Sequence, residues 1–453
     1  MLKNMEDLVS FCKKRGFVFQ GSEIYGGLKG TYDLGPLGIE LKKNLRNSWW
    51  RTMVYERDDV EGLEASLLSH RTVWKYSGHE DGFSDPLVEC KKCHARMRQD
   101  KMKDTTKCDY CGSSDLTEPR NFLLMMKTNV GPIEDGENFA YLRAETAQGT
   151  YLNFKNVLNS TSRKLPFGIA QHGKSFRNEI TPRNFLFRQR EFEQAEMQFF
   201  INPKDDEKWF EEWKNIRLKW WVDNGIAREN LGLHPHDELA HYAKAAVDIE
   251  YKFPWGFDEV EGIHNRQDFD LGSHTKNQNE FKINAKVKKN TESTEKLSYR
   301  DAETGEEFLP FVIETAIGLD RAMIAFLSEA YTEETLENGE SRVVLKLHKN
   351  LAPIKVAIMP LAKNNPQIVK VAHEIKSKLL ALGLGRIVYE NTGNIGKAYR
   401  RNDEVGTPLC ITVDFETLEK SPASVTIRDR DTMQQVRINV DEIEKYITDF
   451  YKN

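Results

Sequence analysis

Residues 174–200 bring cations, carboxylates and aromatic rings together at a regular spacing. Turn-forming residues at 181–184 separate two runs that alternate with period 2, so we predict an antiparallel pair of strands. Side chains alternate across a strand, so one face of the second run should carry Arg188, Arg190, Phe192, Gln194 and Glu196. Paired guanidiniums suit bidentate phosphate contact and a nearby ring can stack on a base, which favours a purine nucleoside triphosphate site. A solvated strand face with ion pairs is the alternative.

Four of the six cysteines form two Cys-x-x-Cys pairs, Cys90 with Cys93 and Cys108 with Cys111, and fourteen residues separate the pairs. This spacing is close to that of zinc ribbons, in which four thiolates hold the ion tetrahedrally. Because four thiolates leave no open coordination position, we predict a structural zinc site. Unmetallated thiols, or a mixed set that includes His94, are the alternatives.

Two other segments place charged groups at the start of helix patterns. An apolar run from Pro310 leads through Gly318 to a helix pattern with Arg321 near its beginning, which favours anion binding because helix N-termini are positively polarised. Glu145 opens another short helix pattern, and by itself it would be an ordinary carboxylate of a first helical turn.

These segments carry a family resemblance. Three stretches of this chain are Arg177-Asn178-Glu179, residues 187–192 and residues 192–196. They resemble motif 2 of the class II aminoacyl-tRNA synthetases, specifically of the dimeric glycyl-tRNA synthetases. Residues 26–38 with the helix pattern after them resemble motif 1, residues 141–149 the amino-acid-binding segment, and residues 310–321 motif 3. Residues 258–263 resemble a strand that contacts ATP and magnesium, and the resemblance covers nearly the whole chain.

The resemblance implies roles for individual residues. Arg177, Glu179 and Arg321 would be catalytic: Arg177 holds the α-phosphate, Glu179 contacts adenine, and Arg321 sandwiches the base with Phe192. ATP, with Mg²⁺ bridging its phosphates near Glu259, would be bound by Arg177, Asn178, Glu179, Phe187, Arg188, Gln189, Arg190, Glu191, Phe192, Glu259, Val260, Gly318, Leu319, Asp320 and Arg321. Glycine would be bound by Arg98, Glu145, Phe192, Glu193, Gln194, Ala195, Glu196, Glu314, Thr315, Ala316, Ile317 and Gly318.

The implied reaction is ATP-dependent ligation of glycine to tRNA(Gly) through a glycyl-adenylate. Glycine has no side chain to grip, so selectivity must come from excluding larger residues and from recognising the ammonium group. We expect Glu145, Glu196 and Glu314 to converge on one small pocket for this purpose. Family members usually have Pro, Met and Ser where this chain has Ala144, Ala195 and Ala316, so we expect a looser pocket.

An α+β scaffold is expected to position these groups. Over residues 1–350 we predict the class II antiparallel sheet with helices, and at about 86–118 an inserted zinc-ribbon-like module. Strand and helix patterns alternate over 351–453, which predicts an α/β domain that resembles the anticodon-binding domain of these synthetases. Residues 400–408 and 426–431 resemble its RNA contacts; without the resemblance they would be solvated loops and an edge strand.

Further elements follow from apolar spacing and composition. Helices are predicted at 5–15, after Pro36 and after Pro203, and the polar segment 276–296 is predicted to be an exposed or disordered loop. The helix after Pro36 has an apolar stripe that faces either the core or, by its resemblance to motif 1, a partner subunit, which favours a homodimer: Leu37, Leu41, Leu45 and Trp49.

Composition narrows the class of protein. The net charge of −5 excludes a globally basic nucleic-acid binder, so any RNA contact must come from local patches. No apolar run approaches the roughly 20 residues of a membrane span, charges interrupt the N-terminal segment, and clustered cysteines suit a reducing compartment. We therefore expect a cytoplasmic enzyme that acts on glycine, ATP and tRNA without membrane contact.

Two other functions fit parts of the pattern. Another class IIa synthetase, for threonine, proline, serine or histidine, would share the motifs but would not have the set of three glutamates. A non-catalytic, nucleic-acid-binding relative of the synthetases would have lost the ATP-site arginines, whereas Arg177, Arg190 and Arg321 are present.

Overall fold

The computed structural model describes residues 4–132, 138–240, 242–336 and 339–452. Its α-helices are α1 (Met5–Arg15), α2 (Pro36–Trp50), α3 (Arg71–Tyr76), α4 (His79–Gly82), α5 (Ala147–Leu152), α6 (Phe154–Thr161), α7 (Asp206–Asp223), α8 (Phe269–His274), α9 (Leu319–Ala330), α10 (Pro366–Leu380), α11 (Ile395–Glu404), α12 (Phe415–Glu419) and α13 (Ile443–Lys452). The predicted helices at 5–15, after Pro36 and after Pro203 are thus confirmed. Among the described helices none is both long and apolar enough to cross a lipid bilayer.

Strands alternate with these helices along the chain. They are β1 (Val18–Gln20), β2 (Tyr32–Leu34), β3 (Val60–Gly62), β4 (Leu68–Ser69), β5 (Ser84–Glu89), β6 (Arg96–Arg98), β7 (Arg120–Leu123), β8 (Met126–Asn129), β9 (Phe139–Leu142), β10 (Phe167–Phe176), β11 (Glu191–Ile201), β12 (Leu231–Pro235), β13 (Ala245–Phe253), β14 (Gly256–Gln267), β15 (Tyr299–Arg300), β16 (Glu307–Phe308), β17 (Phe311–Gly318), β18 (Tyr331–Thr335), β19 (Ser341–Leu345), β20 (Val356–Pro360), β21 (Ile387–Tyr389), β22 (Leu409–Val413), β23 (Ser424–Asp429) and β24 (Gln435–Asn439).

The main sheet has seven strands in the order β12-β13-β14-β17-β11-β10-β3. All neighbours are antiparallel except β10 and β3, which confirms the predicted antiparallel core. The predicted strand pair is β10 with β11, in register from Phe167 opposite Phe200 to Phe176 opposite Glu191.

The connection between β10 and β11 is longer than predicted. Residues 177–190 form a loop that contains a short 3₁₀ helix, Phe185–Phe187, so the prediction of a strand over 185–190 was wrong. Asn184 and Phe185 have φ angles of 55° and 57°, and two successive left-handed residues reverse the chain instead of extending it. Arg188 and Arg190 therefore do not continue the strand face that carries Phe192.

One side of the main sheet is covered by helices. The α7 helix packs on β14 and β17, α9 packs on β11, and α2 packs on α9. The predicted apolar stripe of α2 is buried in this core: Leu37, Leu41, Leu45 and Trp49. Burial of this stripe inside its own chain agrees with the core-facing alternative.

The cysteine-containing segment forms a small sheet of its own. The strands β6, β5 and β7 pair antiparallel, and Cys90 follows β5 directly. The α4 helix precedes β5, so the chain runs from α4 straight into the cysteine-containing sheet.

A second large sheet follows residue 350, in the order β21-β20-β22-β23-β24, and α10 packs against it. The structure differs from the alternative that ignores the resemblance, since residues 400–404 belong to α11 instead of a loop. The β23 strand, which contains residues 426–429, lies between β22 and β24 instead of at an edge. The predicted polar segment 276–296 is mostly exposed, but its backbone is held by Asp268, which accepts from the amides of Asn284 and Ala285 at 2.8 and 2.9 Å.

Candidate active site

A cavity of about 190 Å³, open to solvent, lies on the face of the main sheet formed by β11, β14 and β17. The 177–190 loop and the first turn of α9 complete its walls. Its lining is Glu145, Arg177, Glu179, Leu186, Phe187, Arg188, Gln189, Phe192, Glu193, Gln194, Glu196, Tyr242, Glu259, His264, Arg266, Glu314, Ala316, Gly318, Asp320 and Arg321.

Strand alternation explains which residues face this cavity. On β11 the residues Phe192, Gln194 and Glu196 line it, whereas Ala195 and Met197 are buried in the helix-covered core on the opposite face. The same rule holds on β17, where Glu314, Ala316 and Gly318 line the cavity and Ile317 lies in the core.

Three glutamates meet at one end of the cavity. Glu314 accepts from Arg266 Nη1 at 2.6 Å, and the other nitrogens of that guanidinium bind Asp270 at 2.7 and 2.9 Å. Glu196 accepts from Gln194 Nε2 at 2.8 Å and also from the Thr146 hydroxyl.

Glu145 is the third of these glutamates and is held at both oxygens. Gln148 Nε2 donates to its Oε1 at 3.0 Å, and His79 Nε2 lies 3.2 Å from its Oε2.

The surroundings push the pKa values of these glutamates apart. Burial, with Glu314 and Glu145 close by, raises the pKa of Glu196 to about 8. Burial acts in the same direction on Glu145, but His79, Arg266 and the Gln148 hydrogen bond outweigh it and hold the pKa of Glu145 well below its usual value. The surroundings therefore favour the ionised form of Glu145 and the protonated form of Glu196.

The other end of the cavity combines arginines with aromatic rings. The Arg177 guanidinium lies 5.2 Å from the ring centroids of both Phe83 and Phe192, and its Nε donates to the Ala144 carbonyl at 3.1 Å. Arg321 lies over the Phe187 ring at 4.3 Å. This arrangement can hold a flat base and a phosphate chain between fixed cations.

Acidic groups accompany these arginines. Arg321 Nη1 pairs with Glu259 Oε2 at 2.9 Å, and this Arg321 charge lowers the pKa of Glu259. Arg188 Nε lies 3.2 Å from Glu179 Oε2. Asp320 binds Lys42 Nζ of α2 at 2.6 Å.

Five predicted ATP-site residues lie outside the cavity lining. Val260 is in the core, and Glu191 pairs with Lys174 at 2.9 Å on the surface. The backbone N–H of Asn178 donates to the Leu124 carbonyl. Leu319 is a core residue of α9. Arg190 donates to the carbonyls of Lys29 and Glu179 at 2.6 and 3.0 Å, so its guanidinium fixes the loop backbone.

Four predicted glycine-site residues also lie outside the lining. Ala195 and Ile317 are in the core, and Thr315 is buried. Arg98 pairs with Asp85 at 2.8 Å at the boundary between the cysteine-containing sheet and the loop. Glu193 borders the cavity, but its carboxylate pairs with Lys42 at 3.2 Å and with Arg46, both of α2.

The expected looser pocket reduces to a single position. Of the three small residues noted in the sequence, Ala316 lines the cavity, whereas Ala144 and Ala195 are fully buried in apolar clusters elsewhere. A larger side chain at either of the latter two positions would have to fit into these apolar clusters.

Sequence patterns missed four lining residues: Leu186, Tyr242, His264 and Arg266. Alternation from Glu259 does not predict His264 and Arg266, because the register of β14 shifts between Glu259 and Glu261 and exchanges the residues that face the cavity. Tyr242, whose ring lies 3.9 Å from the Arg266 guanidinium, comes from a connection with no local pattern.

The four predicted cysteines form one cluster. All their sulfurs lie within 4.8 Å of one another, and the pairs Cys90–Cys111 and Cys93–Cys108 are each 3.6 Å apart. A tetrahedral site with metal–sulfur bonds of about 2.3 Å separates the sulfurs by about 3.8 Å, so the four thiols can bind a metal ion. His94 is not part of this cluster.

Several predicted RNA-contact residues of the second large sheet are buried. Asp403 accepts from Arg428 at 2.8 and 3.0 Å and from Arg342 of β19 at 3.0 Å. Arg430 donates to the carbonyls of Gly406 and Leu347 at 2.9 and 2.8 Å. These side chains tie the second sheet to the β18–β19 hairpin.

Exposed polar residues of the same domain collect elsewhere. Lys363, Asn364, Asn391 and Thr392 line a second cavity at the carboxyl ends of β20 and β21. Ligands of sheets with parallel strands bind at such ends.

Comparisons with known proteins agree with this geometry. Residues 129–330 match the family described as "tRNA synthetase class II core domain (G, H, P, S and T)", and residues 355–450 match "Anticodon binding domain". The chain is 53% identical to a glycine–tRNA ligase of Thermus thermophilus, with 99% of each covered. It is 51% identical to that of Deinococcus radiodurans, with 98% of each covered, and 48% identical to that of Borreliella afzelii, with 98% of this chain and 96% of the relative covered.

A solved structure shows the same fold. A Giardia lamblia prolyl-tRNA synthetase in complex with prolyl-adenylate superposes with a TM-score of 0.66 over 100% of this chain and 81% of its own, at 15% identity.

Proposed function

This chain belongs to the glycine–tRNA ligase family of class II aminoacyl-tRNA synthetases, and we propose that the cavity on its main sheet activates glycine with ATP for transfer to tRNA(Gly). One observation carries the assignment of the site. Glu145, Glu196 and Glu314 meet at one end of the same cavity whose other end holds Arg177, Arg321 and Phe192. A small ammonium-bearing substrate and a nucleotide would thus lie side by side.

In the first step a glycine carboxylate oxygen attacks the α-phosphorus of ATP, the bond to the bridging oxygen breaks, and pyrophosphate leaves. No protein nucleophile is needed, because positioning and charge neutralisation supply the catalysis. Arg177 is a cation of the nucleotide end, where it contacts two rings and donates to the Ala144 carbonyl. It would neutralise charge on the α-phosphate as the fifth bond forms.

The base would stack in the aromatic part of the cavity. Phe192 offers one plane, and Arg321, held by Glu259 and by the Phe187 carbonyl at 3.2 Å, offers the opposite one. Glu179 and Arg188 border this space and can read the adenine edge.

Magnesium fits beside Glu259. This carboxylate keeps 45% of its side-chain surface exposed in the cavity, and Mg²⁺ commonly uses one or two carboxylates together with substrate phosphates. When bound, the ion would neutralise phosphate charge, and Glu259 would hold it.

Selection of glycine would combine charge with exclusion. The ammonium group would meet Glu145, ionised by its surroundings, with Glu196 and Glu314 as further acceptors. The buried Arg266 and the Tyr242 ring over it close this end, so little volume is left for a side chain. Alanine and serine would be rejected through lost contacts of their ammonium groups.

The second step forms the ester bond. A ribose hydroxyl at the tRNA 3′ end attacks the glycyl carbonyl carbon, and AMP leaves. The anticodon end of the tRNA would be read by the C-terminal domain, and we place its contact at the exposed polar cavity lined by Lys363, Asn364 and Asn391. The buried residues Asp403, Arg428 and Arg430 would support the domain instead.

Asn364→Ala should therefore raise the KM for tRNA several-fold in aminoacylation while leaving glycine-dependent pyrophosphate exchange unchanged. The matched control is Asp441→Ala, an exposed change in the same domain. An unaltered KM for tRNA in the first variant would remove this cavity from the RNA path.

Zinc, dimerisation and location complete the proposal. The tetrathiol geometry suits a structural Zn²⁺. A homodimer is supported by Ile24 and Tyr25, which are 88% and 87% exposed just before α2, since large apolar residues in such positions favour an interface. Because the α2 stripe is buried in its own chain, the interface would use the neighbouring surface; light scattering after size exclusion measures it.

We also propose a cytoplasmic location, which cell fractionation tests. The domain limits, 1–350 and 351–453 with an insertion at about 86–118, belong to the same proposal. Limited proteolysis should cut near these limits.

Pyrophosphate exchange with glycine, alanine and serine in turn is the most direct test of the function. We expect exchange with glycine, much less with the other two, and a sharply raised KM for glycine after Glu145→Gln or Glu314→Gln. Adenylate formation that is unaffected by both changes would reject the glycine site. Preference for threonine, proline, serine or histidine would instead indicate another class IIa specificity.

A further inference from the structure

Glu145 owes its orientation to a residue outside the cavity lining. Its Oε2 faces His79 Nε2 at 3.2 Å, and its Oε1 accepts from Gln148 at 3.0 Å. His79 is the first residue of α4, and it reaches Glu145 from behind the site.

His79 is itself held in one orientation. Its Nδ1 lies 2.8 Å from the Ser77 Oγ, and its ring packs edge-on against Trp74 at 5.0 Å and at a tilt against Phe83 at 5.3 Å. Only 11% of its side-chain surface is exposed. A ring that contacts two aromatic side chains and has a polar partner at each nitrogen can orient a carboxylate, because little rotamer freedom remains to be lost.

We propose that His79 is a positioning residue for glycine recognition, which fixes the Glu145 carboxylate so that its remaining lone pairs point at the substrate ammonium. This inference rests on the proposed glycine site, and it adds a residue that does not touch substrate.

The physical reason is the cost of a mobile, buried carboxylate. Glu145 must be ionised to attract an ammonium group, yet it keeps only 15% of its side-chain surface exposed. Two donors on its two oxygens offset the lost hydration and leave one direction open, toward the cavity. Without the imidazole, Oε2 would lose its donor, and the carboxylate would rotate or take up a proton.

The same segment also contacts the nucleotide end. The Phe83 ring lies 5.3 Å from the His79 ring and 5.2 Å from the Arg177 guanidinium, so one short stretch supports both ends of the cavity. This layout separates two outcomes. Loss of the His79 hydrogen bond should affect glycine, whereas general disorder of the segment should affect glycine and ATP together.

The test is glycine-dependent pyrophosphate exchange by full-length wild type, His79→Ala and His79→Gln, with separate KM values for glycine and ATP. The amide nitrogen of glutamine can replace the imidazole Nε2 as donor to Glu145. We expect His79→Ala to raise the KM for glycine by roughly tenfold to a hundredfold, the worth of a hydrogen bond to a charged group, with the KM for ATP unchanged within about twofold. His79→Gln should recover most of the loss.

The matched control is His234→Ala, an exposed histidine on β12, which should behave as wild type. An unchanged KM for glycine in His79→Ala overturns the proposal. So does a joint rise of both KM values that glutamine fails to rescue. If His79→Ala does not fold, Ser77→Ala replaces it. We then expect a smaller rise in the KM for glycine, with the KM for ATP unchanged. An unchanged KM for glycine in Ser77→Ala would count against the proposal. Wild type without glycine-dependent exchange would instead defeat the proposed function.

Discussion

At the scale of single side chains, Glu196 belongs to the proposed glycine site and also lowers the stability of the fold at high pH. Its pKa rises from 4.5 to about 8 through burial and the neighbouring Glu314 and Glu145. The unfolded chain loses this proton near pH 4.5 while the folded chain keeps it to about pH 8, so this group lowers stability progressively as pH rises across that window.

Glu196→Gln should therefore remove that pH dependence. We expect its melting temperature, relative to wild type, to be higher at about pH 9 than at about pH 5, because the amide never has to ionise. Glycine activation should fall at the same time. Thermal unfolding of both proteins in matched buffers measures the effect, and an equal difference at the two pH values would contradict it.

The sequence predicts the position of a side chain best when the groups that it contacts are close to it in sequence or belong to a known motif. Glu196 and Arg177 line the same cavity, as the alternation on β11 and the motif 2 resemblance led us to expect. The resemblance did not supply His79, whose partner Glu145 is far along the chain. Arg190 is the opposite case, since its spacing matched the pattern while a chain reversal at Asn184 and Phe185 turned it to the backbone of the loop.

Among elements, α7 is fixed to the sheet by a fully buried ion pair. Arg217 Nε lies 2.5 Å from Glu261 Oε1 of β14, both side chains are 0% exposed, and Trp221 Nε1 donates to the same carboxylate at 2.7 Å. Removing one member leaves an uncompensated buried charge, which typically costs about 3–5 kcal/mol.

Arg217→Met should thus destabilise the protein by about that amount, and adding Glu261→Leu should recover part of the loss because no buried charge remains. Thermal unfolding of the single and double variants measures this. The exposed pair Lys219–Asp223 on the same helix provides the control, since Lys219→Met should change stability by less than about 0.5 kcal/mol. A double variant that is less stable than Arg217→Met alone would contradict this prediction.

The cysteine cluster gives a prediction for its own small sheet. The purified protein should contain about one zinc ion per chain, and Cys93→Ser should lose it and lower the melting temperature. His94→Ala should keep the metal, because the 79% exposed imidazole lies outside the tetrathiol group. Metal analysis decides, and loss of zinc in His94→Ala would favour the mixed ligand set.

Element prediction succeeded where apolar spacing and glycine or proline signals agree, as at α2 and β17. It was wrong for residues 185–190, since alternating residue types there reflect cavity walls and not an extended strand. For residues 400–404 the alternative of a solvated loop does not hold, because Asp403 is buried and pairs with Arg342 and Arg428, which are distant in sequence.

For the molecule as a whole, the buried Asp403 links the C-terminal sheet to the β18–β19 hairpin. It receives Arg428 from one side and Arg342 from the other, and it is 1% exposed. If the carboxylate were removed, Arg428 would stay buried without this ion pair, and Arg342 would keep only Glu334 as an acidic partner.

Asp403→Ala should consequently loosen the two parts from each other, so that calorimetry shows an additional, earlier unfolding transition. Glycine-dependent pyrophosphate exchange should persist below that transition, because the cavity on the main sheet is remote in the fold. The exposed Asp441→Ala serves as control and should melt as wild type. A single transition shifted as one unit would show that the parts do not separate.

The overall architecture followed from the sequence through its motifs: an antiparallel main sheet and a later mixed sheet with alternating helices. The contacts between the later sheet and the β18–β19 hairpin, at Asp403, Arg342 and Arg430, were not predictable. They depend on side chains distant in sequence whose burial no local pattern reveals.

The two faces of β11 contact different environments, which limits the insertions and deletions that this strand can tolerate. Its residues send Phe192, Gln194 and Glu196 to the cavity and Glu193, Ala195 and Met197 to the helices behind. Adding or losing one codon within this strand would exchange the two sets and place charges in the core. We therefore expect single-residue insertions and deletions to be poorly tolerated between 191 and 201. They should be better tolerated around Pro182, in the loop before β11, where side chains do not have to alternate between two faces.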